Sequence, residues 1–163
     1  MTNEEREIQL DRMRYMKNTA SSRLCYLAIL FDVFFFANIY GSDVGTWYYK
    51  LIIGASIVYN LLFMLIVFLS SEGVKNYKNA YTWPLLGIGA AQIARIFILP
   101  MQARSALIKI GGAETAVMGS GQFIRAIIYL AVSAAALIAA AIINYRKCRA
   151  LAGHLKTLKD AQV

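Results

Sequence analysis

The sequence predicts an all-α integral membrane protein, a four-helix bundle running up-down-up-down. Both termini are expected to be cytoplasmic, with a cytoplasmic N-terminal helix and a helical C-terminal tail. Three observations predict this. The 163 residues are 59% hydrophobic and 16% charged, with mean hydropathy +0.52, too apolar for a soluble domain of this length. Four apolar runs, at residues 24–40, 48–70, 83–99 and 123–145, match the ~20 residues that a helix needs to cross a hydrocarbon core of ~30 Å. Lys and Arg are also one-sided. Arg6, Arg12, Arg14, Lys17, Arg23, Lys75, Lys78, Arg146, Lys147, Arg149, Lys156 and Lys159 flank one set of span ends, against only Lys50, Arg104 and Lys109 on the other. Basic residues are retained on the cytoplasmic side. The chain divides into a cytoplasmic amphipathic helix at 1–23, the bundle at 24–145 and a cytoplasmic tail at 146–163, which leaves no room for a second domain.

Residues 2–17, TNEEREIQLDRMRYMK, space Thr2 and Glu5 as a capping box, with acids in the first turn and bases toward the end, and all of this favours a helix. Leu10, Met13 and Met16 form a short apolar stripe on it, suited to a membrane surface or a partner. The first span resembles a signal peptide only in position: no small-residue cleavage motif follows it and Asp32 interrupts it, so it is expected to be retained. Tyr40, Trp47, Tyr48 and Tyr49 mark one interface, and Tyr77, Tyr81, Trp83 and Tyr145 the other. The outer connection, residues 101–122, is apolar for a loop. Within it ARSALIKI reads as helical up to Gly111 and Gly112, either as a continuation of the third span beyond Pro100 or as an interfacial segment. The last span continues into the tail, where Leu151, Leu155 and Leu158 repeat the stripe of the N-terminal helix.

Every span carries a polar group into the middle of the bilayer. Counting 1.5 Å per residue puts Asp32 at a depth of ~12 Å, Asn60 at ~12 Å, Gln92 at ~14 Å and Arg95 at ~18 Å, with Ser133 near Asn60. A lone charge at bilayer centre costs roughly 2.5 to 3.5 kcal/mol on insertion scales. Asp32 on the first span and Arg95 on the third should therefore meet, the forked guanidinium bridging the difference in depth. Arg125 lies close enough to the outer surface to snorkel. Around Arg95, Gly87, Ala91 and Ala94 form a small-residue stripe that, with Gly54 on the second span and the alanine-rich AVSAAALIAAA of the fourth, is expected to pack helices closely. Leu86, Ile93 and Phe97 lie on a separate side and are expected to face lipid.

The same residues exclude several functions. The single histidine, His154, lies in the tail, so neither a His-based triad nor an H-E-x-x-H zinc site can form in the membrane. Cys25 and Cys148 lack a CxxC partner, so neither a metal site nor a disulfide is expected. Gly111-Gly112 and Gly119-Ser120-Gly121 lack the lysine, strand and helix of a phosphate loop. The net charge of +8 sits where a membrane protein keeps its retention signal, so it does not imply nucleic acid. The expected protein is non-enzymatic and without cofactor, in the plasma membrane, and a homo-oligomer or part of a larger membrane complex. It is a channel or secondary transporter component whose layer of Asp32, Asn60, Gln92, Arg95 and Ser133 handles an ion or small charged solute. The alternative is an accessory or assembly subunit, whose polar layer only fixes helix register and whose two apolar stripes dock a complex.

Overall fold

The computed structural model describes residues 3–40, 47–105, 107–110, 113–116 and 118–160. Five α-helices account for nearly all of them: α1 (Asn3–Met13), α2 (Thr19–Tyr40), α3 (Trp47–Lys75), α4 (Thr82–Ser105) and α5 (Ser120–Asp160), with a 3-10 turn at Asn79–Tyr81 before α4. Helices α2 to α5 are each long and apolar enough to cross a membrane. Tyr40, Trp47, Tyr48, Tyr49 and Lys50 have side chains outside the described set.

Helix α5 is the post of the bundle. Its 41 residues extend about 60 Å at 1.5 Å per residue, roughly twice the hydrocarbon thickness, so apolar span and tail form one uninterrupted rod. Both α2 and α4 pack mainly on α5, α3 packs mainly on α2, and α3 meets α4 along little of its length. The reason lies in side-chain size. Ala126, Ala134, Ala136, Ala140 and Ala141 are buried on α5, and small residues let backbones approach where lipid supplies no hydrophobic drive. Gly89 of α4 meets this surface: an added Cβ there would lie 3.0 Å from Ile138 Cγ1 and 3.6 Å from Leu137 Cβ.

The expected packing stripe sits elsewhere. Gly54 and Gly87 face outward with nothing near enough to touch an added Cβ, Ala94 is exposed and Ala91 half-buried. Within the protomer Gly54 and Gly87 do not bring helices together. Gly89 does so, two residues and therefore about 200° around the helix from Gly87. Ile93 and Phe97 are exposed, at 42% and 62%, on the side expected to meet lipid, while Leu86 is half-buried.

Helix α1 ends at Met13, so Met16 falls in the turn that follows and stands 64% exposed. The chain turns there because Asn18 starts the next helix: its N–H donates to the Lys75 carbonyl at 2.8 Å, and its side chain is fully buried. Leu10 and Met13 are half-buried, as are Leu151 and Leu158, while Leu155 is 43% exposed. Helix α1 lies on the tail of α5, the helix that carries Leu151, Leu155 and Leu158. Asp11 Oδ1 contacts His154 Nε2 at 3.2 Å and accepts from Arg14 at 3.3 Å. These bonds hold the Asp11 carboxyl below the usual carboxylate range.

Two local features differ from expectation. Helix α4 does run on past Pro100, which is buried inside it, but stops at Ser105. Residues Leu107–Ile110 and Ala113–Ala116 then form an antiparallel ribbon pairing Leu107 with Ala116 and Ile110 with Ala113. Ile108, Ile110 and Thr115 favour strand over helix, and Gly111 and Gly112 lie outside the described residues. At the end of α3, Tyr77 adopts φ +53° and the Lys78 N–H reaches back to the Gly73 carbonyl at 3.1 Å. This is a Schellman-type stop with tyrosine where glycine is usual, and its carbonyl accepts from Cys148 Sγ at 3.1 Å. Both cysteines are free and buried.

Gly89→Leu should push α4 from α5 and destabilise the bundle by about 1 to 3 kcal/mol. Gly87→Leu should leave the protomer as stable as before or gain up to ~1 kcal/mol of helix propensity. Unfolding of both variants in bicelles measures the contrast.

Candidate functional site

The site grows from a repeated polar position on each inward face. On α2, Asp32 follows Cys25 and Ala28 along the buried stripe; on α4, Gln92 and Arg95 follow Leu85 and Gly89; on α5, Ser133 lies between Leu130 and Leu137. All four are buried, Asp32, Gln92 and Ser133 completely and Arg95 to 5% exposure. Burial at this depth forces them to satisfy one another.

They do so around one carboxylate oxygen. Arg95 Nη1 donates to Asp32 Oδ1 at 2.9 Å, and Gln92 Nε2 donates to the same oxygen at 3.0 Å. Gln92 Nε2 also lies 3.4 Å from Ser133 Oγ, and Gln92 Oε1 accepts from Arg95 Nη1 at 3.5 Å. Ser133 Oγ donates to the Ala28 carbonyl at 3.0 Å, tying α5 to α2 within the same layer. The other guanidinium nitrogen, Nη2, donates to Ser56 Oγ of α3 at 3.0 Å. Phe35 and Tyr59 cover the guanidinium, their ring centroids 4.4 Å and 4.6 Å from its central carbon. Such contacts are worth about 2 kcal/mol each where water is excluded. Four helices therefore converge on a single charge pair.

Asn60 is also buried, at 1% exposure, but joins none of these bonds. The contributor from α3 is Ser56, one turn earlier. Depth counting contains the signal: at 1.5 Å per residue Ser56 lies near ~18 Å, level with Arg95, whereas Asn60 lies ~6 Å away along the axis. Phe35 and Tyr59 carry a weaker signal, each sitting three residues beyond a member of the layer and hence on the same helix face.

The layer is not fully satisfied. Among the described residues Asp32 Oδ2, the Tyr59 hydroxyl and both amide atoms of Asn60 are buried without a hydrogen-bond partner. Buried polar atoms are nearly always paired, so this small set stands apart from its well-bonded neighbours. Beside it, where α3 and α4 diverge, a cavity of about 480 Å³ opens, lined by Ser56, Tyr59, Ala91, Ala94 and Arg95 together with apolar side chains. Two of the small residues expected to pack helices, Ala91 and Ala94, thus line the approach to the guanidinium.

No known protein family, curated protein or solved structure matches this chain. Function must be read from the arrangement itself.

A second polar layer lies nearer the chain termini. Asn144 Nδ2 donates to Thr82 Oγ1 at 3.0 Å, and its Oδ1 accepts from Asn18 Nδ2 at 3.4 Å. Asn18 Oδ1 accepts from Lys147 at 3.1 Å, and the Ser22 and Ser71 hydroxyls share a 2.8 Å bond. These residues gather the start of α2, the end of α3, the start of α4 and the interior of α5. At the opposite end Asn38 and Gln122 exchange side chain to main chain bonds of 3.0 Å and 2.6 Å, joining α2 to α5. No group of three or more His, Cys, Asp or Glu side chains suited to a metal occurs among the described residues.

Removing one member of a buried pair strands the other charge and costs about 3 to 5 kcal/mol. Asp32→Asn and Arg95→Gln should each destabilise the bundle. The double variant should recover more than half of the larger single loss, because neither charge then remains unmatched. A double-mutant cycle on unfolding in bicelles reads this coupling.

Proposed function

We propose that this chain is a non-enzymatic transport component of a membrane, a small channel or secondary transporter handling an ion or small charged solute at the Asp32–Arg95 centre. In this reading both termini are cytoplasmic, as the basic flanks imply, and the membrane is the plasma membrane. A second copy or a larger ring completes the pathway. The outward-facing small residues Gly54 and Gly87 supply a surface on which another helix could seat closely.

One observation carries the proposal: Asp32 Oδ2 is buried and unpartnered in a layer where Oδ1 accepts two bonds. A pair serving register alone gains most when both carboxylate oxygens are satisfied. A buried carboxylate oxygen without a hydrogen-bond partner is suited to accept a proton, a cation or a donor group of a solute. Intramembrane ionisable groups are functional by default. The cavity between α3 and α4 gives a route by which a charged group reaches Arg95. An anion arriving there competes with the Asp32 carboxylate for the guanidinium, and protonation of Asp32 removes that competitor, so anion and proton binding would be linked.

A second reading is supported by the tail. Helix α5 continues well past its apolar span and leaves Leu155 exposed, as is Met16 beyond α1. An accessory subunit would use these to dock a larger complex, with the charged layer purely structural.

Purified protein in liposomes holding a pH-sensitive dye tests the choice, with gradients of Na+, K+ and small carboxylates applied in turn. The transport reading expects at least one gradient to drive dye response, lowered ten-fold or more in Asp32→Asn while helicity is retained. Absence of response to every gradient, with co-purifying proteins lost on Leu155→Glu, would establish the accessory reading instead.

A further inference from the structure

We propose that the groove between α4 and α5, at the end where Asn18 and Asn144 meet, is a binding site for one anionic phospholipid. The groove is a second cavity, of about 590 Å³, separate from the charged layer. Its lining is ordered along the membrane normal. Leu86, Ala141 and Ile142 form an apolar wall, Trp83 and Tyr145 stand at the rim, and Arg146 and Arg149 follow on the next turn of α5. That order repeats the order of a phospholipid: acyl chain, glycerol region, phosphate. Aromatic side chains of this type favour the headgroup level.

The two arginines carry the charge argument. Spaced i and i+3, they share one helix face, both are exposed, and neither forms an ion pair among the described residues. Asp11 and Glu72 are engaged with other groups, Asp11 with His154 and Arg14, and Glu72 with Lys75 and Tyr26. Two guanidiniums with no internal counter-charge, at the foot of an apolar groove, complement a phosphate that brings its own hydrocarbon. The apolar wall decides between a lipid and a free anion. A soluble phosphate would gain from Arg146 and Arg149 but nothing from Leu86 and Ile142. A lipid covers all of them, including the exposed faces of Trp83 at 70% and Ile142 at 44%. Basic pockets between membrane helices recognise headgroups on this principle.

Trp83 reports on its own site. The chain has two tryptophans, so Trp47→Phe leaves Trp83 as the sole indole. The protein is placed in phosphatidylcholine bilayers with an equal mole fraction of either brominated phosphatidylglycerol or brominated phosphatidylcholine, and quenching of Trp83 gives their relative association. The expected preference for phosphatidylglycerol is about 5- to 30-fold, its upper end equivalent to ~1 kcal/mol for each of the two arginines. Arg146→Gln with Arg149→Gln should bring it close to unity, and Arg146→Lys with Arg149→Lys should keep most of it. Equal quenching by the two lipids in the otherwise unaltered protein would overturn the proposal. So would a preference unchanged in the double glutamine variant, or one abolished by inorganic phosphate in the buffer, which would mark a site for the free anion.

Discussion

A single carboxylate oxygen organises the interior of this protein. Asp32 Oδ1 accepts from both Arg95 and Gln92, and every other member of the layer is positioned by one of those donors. Placing a guanidinium among apolar helices costs several kcal/mol unless it is matched and bonded. Here the matching comes from α2, a hydroxyl from α3, an amide from its own helix and two aromatic faces from α2 and α3. Ser133 completes the set by bonding both Gln92 and the main chain of α2. The consequence is a fixed rotation for each helix about its axis, since turning any of them removes a partner from the charge.

The same constraint shapes the exterior. With Gly89 and the alanines of α5 drawing α4 against the post, Arg95 must reach sideways to meet Asp32 and Ser56, and the space beside it between α3 and α4 stays open. Gly54, Gly87 and Ala94 are left facing outward as a smooth surface. Nearer the termini a neutral layer of Asn18, Ser22, Ser71, Thr82 and Asn144 closes the bundle with bonds that involve no buried charge pair. Among the described residues the neutral layer leaves no buried side-chain atom unpartnered, while the charged layer leaves the Asp32 Oδ2 atom and the Tyr59 hydroxyl so.

Much of this is legible in the sequence because membrane insertion makes charges conspicuous. Asp32 and Arg95 interrupt apolar runs, and neutrality alone pairs them; Gln92 and Ser133 follow from depth. Ser56, Phe35 and Tyr59 are harder to see, because serine and aromatic residues are ordinary within a span and only their level relative to Arg95 distinguishes them. Asn60 shows the converse: a buried amide at a plausible depth that a one-turn offset along the axis keeps out of the network. Composition also says which residues are small without saying which neighbour they meet. Gly87, Ala91 and Ala94 form a convincing stripe, yet Gly89 is the residue against α5. Met16 belongs to a stripe only if α1 continues past Met13, and the demand of Asn18 to start α2 stops it earlier. The strand character of 107–110 is set by pairing with 113–116, a non-local contact that helix periodicity cannot reveal.

The central claim is that Asp32 and Arg95 touch within the bilayer. Solid-state NMR of the protein in lipid, with 13C at the aspartate side-chain carboxyl and 15N in the arginine guanidinium, measures it through their dipolar coupling, with Asp32→Asn identifying the signal that belongs to this pair. Strong dephasing is expected, as the 2.9 Å nitrogen to oxygen contact requires, and its loss in the variant. Undiminished carboxyl signal at long mixing in the unaltered protein would place the two groups apart and contradict the account.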